Sequence, residues 1–387
     1  MHRSLPIANP SPPALRASVP TPASWPELLA ELQAVGLRWL DPQGPGLNRK
    51  GGAGPSDHKA ITLASHTVMV PIHTRTAERS PYSALVDVDG ESALLIRRGK
   101  PIAELTFPRE PRFYSLSTAD GTPYWKIATL HGRDVLASTV LQTCTRYGKR
   151  ESSCQFCAIG QSLAAHATIA EKTPAQLAEV AEAAVRLDSV THAVLTTGTP
   201  HTPDRGAEHL CNVVRGMRER VALPTQVQCE PPADLRWLDR LKQAGADALG
   251  MHLESVSEPV RQRIMPGKAS VPIEFYLRAF EHAVPIFGRG QVSTYILAGL
   301  GDTREEILNM SERLLTLGVY PFVVPFVPIS GTPLEHATPP DPAFMQALLA
   351  DVAALISRAA MKSSSIKAGC GRCGACSSLA VREAHRA

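Results

Sequence analysis

The chain has 387 residues, 44% of them hydrophobic, which is enough to bury a large core and to build one big domain with something smaller beside it. Forty Lys and Arg against 36 Asp and Glu leave a net charge of only +4, with no dense basic block or base-stacking aromatic motif, so nucleic acid is not an indicated partner. No stretch approaches eighteen uninterrupted apolar residues, which excludes a membrane-spanning helix as a reading of the sequence.

Residues 1–25 are broken by prolines and lack the apolar run of a signal peptide; they read as a disordered tail on a cytoplasmic protein. In that reducing compartment clustered cysteines bind metal or do redox chemistry more often than they pair as disulfides. Residues 26–134 read as a small α+β cap region. Within it NRKGGAGPSDHKA is a glycine-rich loop without the spacing or the Lys-Ser/Thr ending of a phosphate loop, and is expected to be a mobile substrate cover. ALVDVDGESALLIRRGKPIAELTF then gives strand-like runs broken at Asp89-Gly90 and Gly99-Lys100, which read as hairpin turns.

From 135 to 361 apolar runs alternate with helix-period segments. The strand DVLASTVLQTC is expected to end on Cys144, and TPAQLAEVAEAAVRLD opens with Thr173, Pro174 and Gln176 as N-cap, helix-start proline and capping-box partner. Five more strand-helix pairs follow, with strands at THAVLTTG, PTQVQCE, ADALGMHLE, QVSTYILAGLG and YPFVVPFVPI. Six such units predict a partial (β/α)6 TIM-like barrel, two units short of the closed form, whose chemistry sits at the C-terminal ends of its strands. Residues 362–387 form a Cys-rich C-terminal tail.

The loop TCTRYGKRESSCQFCAIG, after the first barrel strand, holds Cys144, Cys154 and Cys157 within fourteen residues. A closed zinc site wants four ligands, whereas a [4Fe–4S] cluster held by three cysteines leaves one iron open to an exogenous ligand. Strand ends supply further candidates: Thr196, Thr197 and Gly198 after the second strand, Cys229 or Glu230 after the third, His252 and Glu254 after the fourth, Gly299 and Gly301 after the fifth. Each has a plainer reading, the glycines as turn residues and Glu254 as a loop carboxylate. Arg261 and Arg263 are candidates for pairing a carboxylate or are solvated surface. Cys211, among apolar neighbours mid-helix, reads as a buried small hydrophobe.

With CQFC in that loop, the sequence resembles the radical S-adenosylmethionine (SAM) superfamily, whose usual signature is Cys-x3-Cys-x-aromatic-Cys. Phe156 takes the aromatic position and Cys154 and Cys157 the last pair, while nine residues rather than three separate Cys144 from Cys154. TTGTPHTPDRGAEHLCNVVRGMRERV, HLESVSEPVRQRIMPGKAS, YILAGLGDTREEI and FVPISGTPLE resemble successive units of the lipoyl synthase and biotin synthase branch, over about residues 135 to 340. The overall pattern also resembles a radical SAM family encoded beside nitrilases. The resemblance implies that Cys144, Cys154 and Cys157 hold a [4Fe–4S] cluster whose open iron binds SAM. It further implies that Phe156, Thr197, Gly198, Glu230, His252, Glu254, Arg263, Gly299 and Gly301 surround SAM. A flavodoxin or ferredoxin would supply an electron, and the resulting 5′-deoxyadenosyl radical would take hydrogen from a small substrate, suggested to contain nitrogen.

In the tail, AGCGRCGACSS places Cys370, Cys373 and Cys376 as the first three ligands of a ferredoxin-type run without the fourth. A second iron–sulfur cluster, zinc and free thiols are the alternatives there. Against the enzyme stand a non-enzymatic zinc or iron–sulfur scaffold protein, and a SAM-independent aldolase-type barrel with zinc at its mouth.

Overall fold

The computed structural model describes residues 22, 24–40, 58–87 and 90–384. The expected tail therefore lies almost wholly outside the described residues, as do residues 41–57, with most of the glycine-rich segment, and Asp89 of the first hairpin turn. Trp25, counted with the tail, is the first residue of a helix, Trp25–Val35, started by Pro26 and buried along Leu28, Leu29 and Leu32.

The N-terminal strands β1 (Arg38–Trp39), β2 (His58–Leu63), β3 (His66–Pro71), β4 (Tyr82–Val86), β5 (Ser92–Arg97) and β6 (Lys100–Thr106) form one sheet in the order β1-β4-β5-β6-β2-β3. Leu29, Leu32, Leu37, Ile61, Val70, Tyr82 and Leu95 make a core of their own beneath it. The β5–β6 turn is centred on Arg98-Gly99, one residue earlier than expected, because Arg97 pairs with Lys100. Arg98 and Gly99, at φ 48° and 83°, take the two left-handed positions of such a turn.

The second sheet carries the strands β7 (Thr129–His131), β8 (Val135–Thr139), β9 (His192–Thr196), β10 (Thr225–Gln228), β11 (Ala248–Gly250), β12 (Val292–Ala298) and β13 (Val319–Pro325), ordered by sequence. β8 to β13 are six consecutive parallel strands, and β7 pairs antiparallel on the outer edge of β8. Helices Pro174–Asp188, Ala207–Arg220, Arg236–Gln243, Ile273–Phe287, Arg304–Leu317 and Pro342–Arg358 follow the strands. This is the expected partial (β/α)6 barrel, and its seam lies between β13 and β7. Edge position explains why β13 tolerates Pro321 and Pro325: neither proline can donate to a ladder, and β13 pairs only with β12.

Two strand ends differ from expectation. β8 stops at Thr139, so Cys144 stands five residues beyond it, in the loop. β11 is only three residues long because the chain beyond it turns at Glu254, whose φ of 64° is incompatible with a continuing strand. The capping box of Thr173 and Gln176 is formed as expected, hydroxyl to backbone and amide to backbone.

Candidate active site

The loop bearing Cys144, Cys154 and Cys157 leaves β8 and crosses the C-terminal mouth of the barrel. Its start is pressed against the end of β9: Gly198 donates its N–H to the Leu141 carbonyl at 2.8 Å, and a Cβ on Gly198 would stand 2.1 Å from the Thr143 carbonyl oxygen. Only glycine permits that approach, and it fixes the chain one residue before Cys144. Further along, Gln155 N donates to the Ile264 carbonyl and Gln155 Nε2 to the Arg263 carbonyl at 2.7 Å, tying the CQFC turn to the loop after β11. Phe156 packs on Val260, Ile264, Leu300 and Phe326.

Cys157 lies within electrostatic reach of both Cys144 and Cys154. Burial pushes the Cys157 thiol up to about 12, with Cys144 and Glu254 adding to it; burial likewise raises Cys154 well above its ordinary range, with Glu254 and Cys157 nearby. Protonated thiols attract each other weakly, and among the described residues no three His, Cys, Asp or Glu side chains converge on the coordination sphere of a single ion.

Beneath the loop is a ring of ionised groups. Glu230, at the end of β10, pairs with Arg146 of the cysteine loop and, at 3.1 Å, with Arg205, and accepts from Thr199 Oγ1 at 2.9 Å. Burial pushes its carboxyl up, but Lys268, Arg146 and these hydrogen bonds outweigh burial and hold it below the usual range. Glu254 accepts from Lys268 Nζ at 2.7 Å. Burial opposes the Lys268 charge, yet Glu254 and Glu230 hold it protonated above the usual lysine range. His252 accepts from Tyr295 N at Nδ1, 3.2 Å, so its proton sits on Nε2; burial, and then Lys268, pull it down to about 3 and keep it neutral.

Residues 142–314 match the family model of the radical SAM superfamily. The barrel is a radical SAM domain. Over 113 residues the chain is 33% identical to bacteriochlorophyllide c C-7(1)-hydroxylase of Chlorobaculum limnaeum, covering 29% of this chain and 28% of that protein. Over 184 residues it is 29% identical to lipoyl synthase of Parabacteroides distasonis, covering 46% and 58%. The chain thus spans less than two thirds of the length of these curated relatives. Among solved structures, methylornithine synthase (TM-score 0.46, 17% identity, 63% of this chain and 67% of that one) and a radical SAM methyltransferase from Sphaerobacter thermophilus (0.46, 17%, 71% and 75%) are similar. Radical SAM domains are enzymatic and imply a [4Fe–4S] cluster and SAM. The donor chemistry here fits such a cluster: three soft, half-buried thiols on one loop, beside a mouth rich in polar groups.

Around the mouth of the radical SAM domain the expected residues divide. Thr197 turns its hydroxyl to the Gly198 carbonyl at 2.8 Å, near Gly206. Glu230, His252 and Glu254 gather under the cysteine loop through their shared neighbour Lys268. Cys229 faces the other way, into the core, which settles the alternation with Glu230. Cys211 is buried in the core as expected. Gly299 and Gly301, at φ 109° and 131°, are needed by this chain's own packing, against Pro340 and the Arg263 guanidinium. Arg263 is exposed and donates to the Leu300 carbonyl at 3.2 Å. Arg261 is neither solvated surface nor a free carboxylate partner: fully buried, it holds the carbonyls of Leu253 at 2.7 Å and Val271 at 3.0 Å, clamping the loop after β11. Buried Asp302 accepts from Ser255 Oγ and from the backbone of Val256 and Ser257, fastening the same loop to β12.

Sequence reading missed Lys268, Arg146, Asp302 and Tyr295. No spacing rule reveals them, because their partners lie many residues away in other segments of the chain. Lys172 was also missed: it is buried, donates to Thr168 Oγ1 and the Ile169 carbonyl at 2.7 Å each, and burial pulls it down to about 7.

The tail triad sits at the other end of the barrel, by the N-terminal ends of the strands. Cys370 N donates to Gln226 Oε1 at 3.2 Å, and Cys370 Sγ accepts from Gln228 Nε2 at 3.2 Å and from the Tyr295 hydroxyl. Burial raises the Cys370 thiol and pushes Cys373 up to about 12. Tyr295 in turn stacks edge-on against His252, centroids 4.8 Å apart, so one tyrosine separates the tail thiols from the groups under the upper loop.

Proposed function

We propose that this protein is a radical SAM enzyme acting on a small, nitrogen-containing molecule, with Cys144, Cys154 and Cys157 as the ligands of its [4Fe–4S] cluster. The observation that supports the reading is that these three thiols share one loop, with Cys157 in electrostatic reach of the other two, at the strand ends of a barrel that matches the radical SAM family model. When bound, the cluster and SAM supply reductive cleavage to methionine and a 5′-deoxyadenosyl radical, the electron coming from a flavodoxin or ferredoxin.

The chain's own residues have positioning work to do. Gly198 and Gln155 fix the two ends of the cysteine loop. Phe156 closes its apolar side against Val260 and Phe326 and keeps water from the thiols. Thr197, Gly198, Glu230, His252, Glu254, Arg263, Gly299 and Gly301 form the wall around SAM, with Glu254 held by Lys268 and Glu230 by Arg146 and Arg205. Neutral His252 offers an Nε2–H donor without adding charge to the chamber. In the tail, Cys370, Cys373 and Cys376 hold a second iron–sulfur cluster.

The test is anaerobic iron–sulfide reconstitution of the wild type and of the Cys144→Ala, Cys154→Ala, Cys157→Ala triple variant, each assayed with dithionite and SAM. The wild type is expected to form 5′-deoxyadenosine and the variant none. A wild type that binds zinc or makes no 5′-deoxyadenosine sinks the assignment.

A further inference from the structure

The C-terminal tail bridges the open seam of the barrel. On one side Ser377 Oγ donates to the Val323 carbonyl of the edge strand β13 at 2.7 Å. On the other, Cys376 Sγ lies 3.5 Å from His131 Nε2 on the opposite edge strand β7. From behind, Gln33 Nε2 and Met69 N both donate to the Ala375 carbonyl, at 3.0 and 2.8 Å, pinning the tail to the N-terminal region. The Ser377 hydroxyl and the Ala375 carbonyl anchor the tail, while Cys376 Sγ turns to His131.

We propose that His131 is the fourth protein ligand of an iron–sulfur cluster held by Cys370, Cys373 and Cys376 in the base of the barrel. The inference rests on the reading of the tail thiols as cluster ligands and adds the residue that completes them. A ferredoxin-type run lacking its last cysteine is one ligand short. His131, 6% exposed, brings an imidazole to the triad from a strand the tail does not belong to. The turn that carries it is shaped for this contact: Gly132, at φ 61°, packs so close that a Cβ would stand 3.1 Å from Cys373 Sγ.

Two neighbouring groups are committed elsewhere. Asp134 Oδ2 accepts from Thr191 Oγ1 at 2.6 Å, and His192 meets Thr191 Oγ1 at 3.1 Å and the backbone of Gly369. Charge favours imidazole as well. The groups in contact with the tail sulfurs are the neutral amide of Gln228, the Tyr295 phenol and His131 itself, while the Asp134 carboxylate already sets a negative charge against Cys373, so a neutral fourth ligand brings one negative charge fewer into this buried space than a fourth thiolate. Imidazole is a competent iron ligand, and replacing thiolate by histidine raises the reduction potential of a cluster. Through Tyr295 and His252 the cluster would face the radical chamber from below.

The experiment uses the full chain with Cys144, Cys154 and Cys157 changed to alanine, so that only the tail can hold iron. After anaerobic reconstitution and reduction, pulsed electron paramagnetic resonance is expected to show a nitrogen hyperfine coupling that changes from ¹⁴N to ¹⁵N when histidine alone is ¹⁵N-labelled. Adding His131→Ala should abolish that coupling. Adding His131→Cys should keep iron and sulfide while lowering the potential, and it remains informative if the alanine variant fails to fold by circular dichroism. A cluster without the histidine coupling overturns the role of His131 and leaves the cluster reading intact. Retention of zinc, or of no iron at all, overturns both.

Discussion

Several ionised side chains surround the upper triad, whereas the contacts of the tail triad are amides, a phenol and an imidazole, with one carboxylate, Asp134, near Cys373. At the mouth, Glu230 and Glu254 are each held by cations, Arg146, Arg205 and Lys268, and their negative charge raises the thiols further than burial alone. At the base, Gln226, Gln228 and Tyr295 present hydrogen bonds without charge. Three thiols thus stand in a polar, chargeable chamber at the mouth, and three in a plug of mostly neutral contacts that bridges the seam of the sheet. The difference teaches that the charge around a group of three thiols is set by the elements packed against it and not by the spacing of the thiols.

Removing the charge at the mouth should have the largest consequence. Lys268→Met leaves Glu254 buried without its cation, and breaking a buried pair this way is expected to lower unfolding stability by about 3–5 kcal/mol. Denaturant melts of the anaerobic protein measure it. A loss near zero would mean the mouth is wet and its charges screened, and the contrast with the base would collapse. At the base, Gln226→Leu removes the acceptor of Cys370 N and of Gln228 Nε2 and the donor to Ser293, and is expected to be worth about 1–3 kcal/mol, with reduced tail iron and unchanged iron on the upper triad. Equal losses from both triads would break the claim that the two sites are built independently.

The smallest effect concerns Lys172, just under the upper loop. Its folded proton affinity is depressed to about 7, against 10.5 for a free lysine, so above pH 7 the unfolded chain binds the extra proton. Stability should therefore rise with pH from 7 toward 9, by up to about 1.4 kcal/mol per unit. The window closes near 9.0, where buried thiols such as Cys157, pushed up in the fold, begin to reverse the trend. Lys172→Met should flatten the slope in urea titrations at pH 7, 8 and 9; an unchanged slope would show that Lys172 is hydrated.

Six alternating apolar and amphipathic segments made the barrel legible, because period 2 and period 3.6 are local properties, and the Thr173 capping box was legible for the same reason. The two groups of three cysteines were legible because their members are close in sequence. Arg261 was misread, since it lies in the short helix Glu258–Ile264 and nothing local shows that the segments on either side of that helix will turn their carbonyls onto it. Lys268 and Tyr295 gave no signal for a related reason: each matters through a partner on another element.

Sequence alone determined the strand and helix rhythm, the radical SAM resemblance and the two groups of three thiols, all of which depend on residues within a few positions of each other. Tertiary structure decided that Glu230 faces the mouth and Cys229 the core, that one tyrosine lies between the two chambers, and that the tail meets His131 across the open seam. Those outcomes bring together residues up to 245 positions apart, a proximity set by strand order and sheet curl.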